Sequence, residues 1–383
     1  MFLKMVPKKS SFMDRKAQIG IQFNRIFILI VGGIILLFFV SLAMKFKDSQ
    51  QTAIETTIKE DFKTILSGVV SSPEQTARVI EMPTTKIKLR CEPDDGFSGY
   101  IIGRGQEDIG NVPFFAPTSL EHDFLTVWTY GWEIPYKVTN FLYLTNSKSR
   151  YILLNDSQGW YRKLNNTLKS RRLVQDDVRM LLDKEVIVRA DLPGVRDENH
   201  HKAKIVYFAD NCTEDQVNPP DDLKGLAEND LSAVCFEPDL STKPLKGYGE
   251  VYFYAFDGND FDLEGVEPYL GKASLLGAFF AANKGSYRCG MQKAFKRLGY
   301  VSTVYEERSG IVEDLFAAKN SNCETYFGTA KRLYNLTNLA TDKFNYTNVK
   351  KIYNIGYVTS DYNNKFIVEA NRISRDHSCG AVY

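Results

Sequence analysis

The strongest pattern along the chain is an uncharged, mostly apolar run from Ile26 to Met44. A helix of these nineteen residues rises about 28 Å, close to the roughly 30 Å thickness of the hydrocarbon core of a bilayer. A buried helix of a soluble protein is normally shorter or has a polar face, and only a weak Ala-x-Ala-like cleavage site follows the run. The pattern therefore predicts a transmembrane helix over residues 26–44.

The charges beside this run predict its orientation. Residues 1–25 contain six lysines and arginines and one aspartate. Because positively charged flanks stay in the cytoplasm, we expect a basic cytoplasmic segment over 1–25, a single pass in contact with membrane lipid over 26–44, and an extracytoplasmic location for the bulk of the chain. The whole chain has a formal net charge of +1, which gives no reason to expect a nucleic-acid partner.

Residues 45–72 are predicted to form an amphipathic stalk helix. Apolar residues recur there at helical spacing, with charged residues between them. The apolar positions are Ile54, Ile58, Phe62, Ile65, Leu66 and Val69. Such a stripe must pack against the protein's own outer domain, the membrane surface or a second copy of the chain, and its own domain is the simplest assumption.

Beyond Pro73 the chain changes to short β-favouring runs separated by Gly, Pro, Asn and Asp. Five such runs predict a β-rich region over 73–172. Over 173–383, four more strand-like runs precede a helical last third, and the loop-like intervals between them favour an antiparallel or mixed sheet. The predicted fold class is α+β, with a single transmembrane helix and an amphipathic stalk followed by a β-rich and mixed α/β extracytoplasmic domain.

Two further features agree with a location outside the cytoplasm. All six cysteines follow the apolar run, and they can form three disulfides in any of fifteen connectivities, although buried free thiols are the alternative. The cysteines are Cys91, Cys212, Cys235, Cys289, Cys323 and Cys379. Five Asn-x-Ser/Thr triplets are candidate N-glycosylation sites. Their asparagines are Asn155, Asn165, Asn211, Asn335 and Asn345.

Several strand-like runs end in an acidic residue. Asp191, Asp210 and Asp257 each follow such a run. In open α/β sheets, ligands bind beyond the carboxyl ends of the strands. A solute-binding or catalytic cleft there requires at least two of these carboxylates to converge.

One acidic stretch resembles half of a calcium site. Asp260, Asp262 and Glu264 imitate the first half of an EF-hand loop, but the twelfth position is Gly271 where a bidentate Glu is needed. The sequence therefore favours an acidic turn, with calcium near these three residues as the alternative. No other cofactor or metal is predicted.

The opening stretch carries a processing motif. A basic residue is followed by Ala17, Gln18, Gly20 and Gln22, and the apolar run begins immediately afterwards. This pattern resembles the archaeal class III signal peptide of type IV pilin-like proteins, in which Gly, Gln, Ser and Glu stand at these positions. The resemblance implies cleavage before Gln18 and an apolar helix that serves as the anchor and assembly element. The chain as a whole resembles uncharacterised membrane-anchored archaeal proteins, a family that implies no activity.

No motif of nucleophilic catalysis, phosphate binding or zinc ligation is recognised in the sequence. The sequence therefore favours a non-enzymatic structural, adhesive or interaction role at the cell surface. One alternative is a pilin-like subunit, processed before Gln18, that self-associates or binds other surface proteins. Another is an anchored enzyme or solute-binding protein that uses the acidic strand ends.

Overall fold

The architecture is taken from a computed structural model. It describes residues 27, 29–42, 44–45, 56–60, 62–64, 66–68, 77–81, 86–91, 97–103, 105–121, 124–168, 186–189, 202–214, 217–221, 223, 225–228, 230–242, 245–319, 321–358 and 366–383. The chain divides into one unit that ends at Thr57 and a second that begins at Ile58. Each unit is described by itself.

In the first unit, helical residues are described between 27 and 45, a helix that we name α1, and again at 56 and 57. Within the described part of the chain, no helix has both the length and the apolar character needed to cross a membrane. The predicted transmembrane helix over 26–44 is therefore wrong.

The candidate processing residues fall before the first described residue. Ala17, Gln18, Gly20 and Gln22 lie outside the described residues, as does the predicted basic segment over 1–25. Cleavage before Gln18 stays a prediction.

The second unit begins with helix α2, whose described residues between 58 and 68 bury one face. Ile58, Phe62 and Leu66 follow the i, i+4, i+8 spacing of one helix face, and all three are buried in a core cluster that also contains Tyr100. The rings of Phe62 and Tyr100 meet edge to face with centroids 4.5 Å apart. At these three positions the apolar stripe packs against the chain's own domain.

We expect replacement of Phe62 by alanine to lower the free energy of unfolding by about 3 kcal/mol, because it removes a fully buried ring and leaves a cavity. Denaturant unfolding measures the change. Thr64→Ala, at an exposed position of the same helix, is the matched control and should change stability by less than about 0.5 kcal/mol. Equal losses in the two variants would contradict the packing of α2 on the domain.

The strands are β1 (Ala77–Glu81), β2 (Lys86–Cys91), β3 (Ser98–Ile102), β4 (Gly105–Asp108), β5 (Phe114–Phe115), β6 (Ser119–Glu121), β7 (Phe124–Glu133), β8 (Lys137–Asn146), β9 (Ser149–Leu154), β10 (Val186–Arg189), β11 (Lys202–Phe208), β12 (Leu231–Pro238), β13 (Tyr248–Phe256) and β14 (Phe261–Leu270). The further helices are α3 (Trp160–Leu168), α4 (Gly271–Phe280), α5 (Lys284–Ala317), α6 (Cys323–Leu339), α7 (Tyr346–Tyr353) and α8 (Ile367–Asp376), with a π-helical turn at Asn354–Val358.

The described strands form three sheets, in an α+β arrangement. Two have four strands each, in the orders β4-β3-β2-β6 and β1-β7-β8-β5, and the third has six in the order β10-β9-β11-β12-β13-β14. In the six-stranded sheet, β10, β9, β11 and β12 are parallel to one another. Strand β13 runs antiparallel to both of its neighbours, β12 and β14. The sheet is thus mixed. It joins the regions 73–172 and 173–383, because β9 pairs with both β10 and β11.

Helix α4 and the long helix α5 lie against the largest core cluster. Trp132 of β7 is buried, and its indole Nε1 donates to the carbonyl of Leu270 at 2.9 Å. The hydroxyl of Tyr143 of β8 donates to the carbonyl of Ala273 at 2.8 Å. These bonds satisfy buried polar groups and fix the junction of β14 and α4 beside strands β7 and β8.

All six cysteines are paired. The disulfides are Cys91–Cys289, Cys212–Cys235 and Cys323–Cys379. They join β2 to α5, the segment after β11 to β12, and α6 to the carboxyl-terminal tail. Since disulfides form and persist in oxidising compartments, the three bridges are consistent with an extracellular or secreted protein.

Candidate functional site

A cavity of about 300 Å³ lies at one end of the strands of the six-stranded sheet. Ser149, Lys202 and Leu231 line it, and they are the first residues of the parallel strands β9, β11 and β12. The end of α4 contributes Phe280, and Asn283, which caps α5, completes this side. The cavity therefore lies at the amino ends of the parallel strands.

The acidic strand ends do not meet in this cavity. Asp210 follows β11 and Asp257 follows β13, and both are exposed. Strand β13 runs antiparallel to β12, which is parallel to β11. These two residues therefore lie beyond opposite ends of the strands. Asp191 lies outside the described residues. The structure therefore does not bring the two described carboxylates together.

Asp257 has a local role instead. Its carboxylate accepts hydrogen bonds from the backbone N–H groups of Asn259 and Asp260, each at 2.8 Å, in the turn between β13 and β14. These backbone hydrogen bonds lower the pKa of the Asp257 carboxyl. Such an aspartate turn is a common way to stabilise a hairpin.

Lys204 is the most buried charged side chain of the cavity lining, with 6% of its surface exposed. Its Nζ donates to the carbonyl of Ala278 at 3.1 Å and to the carbonyl of Ala281. These oxygens belong to the last turn and the C-cap of α4, where carbonyls lack partners within the helix and the helix dipole favours a cation. The ring of Phe253 lies 5.8 Å from Nζ.

Burial in the protein lowers the pKa of the Lys204 ammonium to about 7, and the carboxylate of Glu264 opposes that shift. An unperturbed lysine has a pKa of about 10.4. Near neutral pH, the buried side chain therefore exists in part as a neutral amine, which has the lone pair that a nucleophile needs.

Lys202, two residues earlier on β11, lies in the more exposed part of the lining. Its Nζ is 3.5 Å from Oδ1 of Asp230 and donates to Oγ1 of Thr118 at 3.2 Å. Burial lowers the pKa of Lys202, and Asp230 opposes that effect. The cavity lining thus contains a salt bridge whose lysine lies on the same strand as Lys204.

Glu264 reaches the cavity because strand β14 has a bulge. Phe253 pairs with Gly265 and Tyr254 pairs with Leu263, so Glu264 is an extra residue in its strand. Its carboxylate accepts a hydrogen bond from the backbone N–H of Lys284 at 3.1 Å, at the first residue of α5. An acidic group at this end of the helix complements the dipole of α5.

The candidate calcium residues therefore occupy a hairpin. Asp260 lies in its turn, and Asp262 and Glu264 lie on strand β14. An EF-hand instead collects its ligands around a twelve-residue loop. No group of three or more His, Cys, Asp or Glu side chains suited to a metal ion occurs among the described residues. Calcium binding stays a prediction.

The candidate glycosylation sites differ in exposure. Asn155, Asn335 and Asn345 are exposed, whereas Asn165 and Asn211 are partly buried. Some of these side chains also have structural roles, since the carbonyl oxygen of Asn345 caps α7 by accepting from the N–H of Asn348 at 2.9 Å. Glycosylation of the five asparagines stays a prediction.

Sequence reasoning missed Lys204, although the sequence contained a signal for it. The residue interrupts an apolar strand, with Ala203 before it and Ile205 and Val206 after it, all of which are buried. A cation inside such a strand must find buried partners. Its partners come from α4, whose carbonyls are more than seventy residues away along the chain.

No model of a known protein family matches the chain, and no curated protein or solved structure matches it either.

Proposed function

We propose that the protein binds a small, neutral, polyhydroxylated solute outside the cytoplasm. The observation that carries this proposal is the mixture of donors and acceptors around one cavity of about 300 Å³. Three basic and three acidic side chains line it, so the lining does not favour an ion of either sign. The basic and acidic residues are Arg150, Lys202, Lys204, Glu228, Asp230 and Glu264.

The remaining lining fits the same class of ligand. Ser232 and Asn283 add neutral polar groups, and Tyr254 and Phe280 add aromatic surface. Ligand sites are typically concave, mostly apolar and supplied with a few polar groups that fix the orientation of the ligand. Hydroxyl groups of a solute can donate to carboxylates and accept from lysines, so they match both kinds of partner. The three disulfides support a location in an oxidising compartment.

The proposal is tested with D-ribose and methyl riboside, which share every hydroxyl group except the anomeric one, which is methylated in the riboside. Ligand that binds only the folded state stabilises it by about 2.7 kcal/mol at a concentration of 100 Kd. We therefore expect both sugars to raise the melting temperature of the protein in a concentration-dependent way. Calorimetric titration would give the affinity directly.

A cavity-filling variant provides the control. Ala255 lines the cavity and is exposed, so Ala255→Phe should fill the site without disturbing the core. Ala318→Phe introduces the same side chain at an exposed position beyond α5, away from the cavity lining. We expect A255F to abolish the sugar effect and A318F to retain it. The proposal fails if neither sugar has an effect, or if both variants respond alike.

A further inference from the structure

We infer that the Lys204 amine forms a reversible imine with an aldehyde or ketone group of the bound solute. This inference rests on the proposed function, because it takes the same cavity as the binding site and adds the chemical class of the ligand. It is carried by the position of a buried amine in the wall of a cavity that is large enough for a small organic molecule.

The hydrogen bonds of Lys204 suit a neutral amine. A neutral amine has two N–H groups and one lone pair. Two carbonyl oxygens, those of Ala278 and Ala281, accept from Nζ. In the neutral form both N–H groups are thereby satisfied, and the lone pair is available to the cavity that the side chain lines.

The reaction balances without an oxidant or a reductant. The lone pair of Nζ attacks the carbonyl carbon of the solute, and a proton moves from nitrogen to oxygen to give a carbinolamine. The hydroxyl group then leaves with a second proton as water, and a C=N bond replaces the C–N single bond. Hydrolysis reverses each step and releases the solute unchanged.

Several neighbours of Nζ offset part of the desolvation cost of the cationic intermediate of this reaction. A protonated imine keeps one N–H, which either carbonyl at the end of α4 can accept. The positive charge lies at the carboxyl end of a helix, where the dipole stabilises it. Glu264 adds a favourable electrostatic interaction with the charge, and the ring of Phe253 lies 5.8 Å away.

Protonation behaviour distinguishes Lys204 from an ordinary lysine. With its pKa lowered to about 7, about half of the side chains are neutral at pH 7. An unperturbed lysine with a pKa of about 10.4 is neutral in less than about 0.1% of molecules at that pH. Lys204 should therefore react at neutral pH in preference to exposed lysines.

Reductive trapping tests the inference. The full-length protein is incubated at pH 7 with D-glyceraldehyde and cyanoborohydride, which reduces an imine to a stable amine, and the modified residue is located by peptide mapping. We expect labelling of Lys204 to exceed that of lysines with an unperturbed pKa at least about ten-fold, given the difference in neutral amine, and to exceed that of Lys293, whose pKa is lowered to about 8 by burial, about five-fold. Glycerol, which lacks the carbonyl, should give no adduct. Labelling spread over exposed lysines without preference for Lys204 would overturn the inference.

Variants and the sugar titration separate the two proposals. Lys204→Met should remove the preferred adduct, whereas Lys202→Arg, two residues away, should retain it. If K204M does not fold, two measurements on the wild-type protein still test the inference. One is peptide mapping of the adduct, and the other is whether methyl riboside protects Lys204 from labelling. Binding of methyl riboside without any adduct on Lys204 would reject the imine and leave the proposed function standing. Lack of sugar binding would reject the proposed function, whatever glyceraldehyde does.

Discussion

Removal of the Cys91–Cys289 disulfide should lower the free energy of unfolding by about 5 kcal/mol, because the bridge closes a loop of about 200 residues. The double variant C91A/C289A removes the bridge without leaving an unpaired thiol. In the chain-entropy account, a crosslink stabilises the fold by restricting the unfolded chain, and a longer loop gives a larger effect. This bridge also joins β2 to α5 inside a core cluster, so its loss loosens the contact between a sheet and the longest described helix.

The other two bridges provide a graded control. Their sequence separations are 56 residues for Cys323–Cys379 and 23 residues for Cys212–Cys235. The same account gives losses of about 4 and about 3.5 kcal/mol for the corresponding alanine pairs. Denaturant unfolding of the three double variants under oxidising conditions should therefore rank Cys91–Cys289 first and Cys212–Cys235 last. The reverse order would show that local packing outweighs loop closure.

The disulfides also show what six cysteines reveal before a fold is known. The even number and the position of the cysteines predicted three bridges, and three are present. Their pairing could not be deduced, because it depends on which elements the fold brings together. Cys91 and Cys289 meet only because α5 packs beside β2.

Most strands could be predicted because each is a short apolar run with clear ends. The nine strand-like runs recognised in the sequence correspond to strands β2, β3, β7, β8, β9, β10, β11, β12 and β13. Strand β14 was missed, since its first half is acidic and exposed and a bulge at Glu264 interrupts its alternation. In the sequence that half favours an acidic turn, with calcium binding as the alternative, whereas in the structure it is part of a strand that positions the carboxylate of Glu264 at the cavity.

Strand direction explains why the acidic strand ends Asp210 and Asp257 do not converge. Asp210 and Asp257 look equivalent in the sequence, since each ends an apolar run. The reversal of direction between β12 and β13 places the two aspartates at opposite ends of the strands. Strand direction depends on pairing between distant segments, which a periodic pattern does not contain. The amino ends of β9, β11 and β12 lie together because these three strands are parallel neighbours, and the cavity lies at these ends.

The apolar run near the amino terminus is the strongest pattern in the sequence, but the transmembrane helix predicted from it is wrong. Hydropathy over residues 26–44 measures composition and length alone. Among the residues that the structure describes, no helix combines the length and the apolar character that a membrane span requires. The case for an extracellular location therefore rests on the three disulfides.

Stability should respond to Lys204 in a narrow window of pH. We expect the free energy of unfolding of the wild-type protein, relative to that of Lys204→Met, to rise by about 3.5 kcal/mol between pH 7 and pH 10, since each pH unit of a full one-proton difference contributes about 1.4 kcal/mol. The pKa of Lys204 is lowered to about 7 by burial in the folded protein and returns to about 10.4 in the unfolded chain. Between these values the unfolded state binds one more proton than the folded state, so raising the pH favours folding.

The measurement is a series of denaturant titrations of both proteins across this window. Below about pH 6 the difference should be constant, because Lys204 is then protonated in both states. Lys202→Met is the matched control on the same strand, and its smaller burial and its pairing with Asp230 predict a smaller slope. Tyrosines and other groups titrate alike in wild type and variant, so the difference isolates the lysine. Parallel curves for wild type and K204M would mean that the buried ammonium keeps its proton through pH 10, and a group that stays protonated has no lone pair with which to attack a carbonyl carbon.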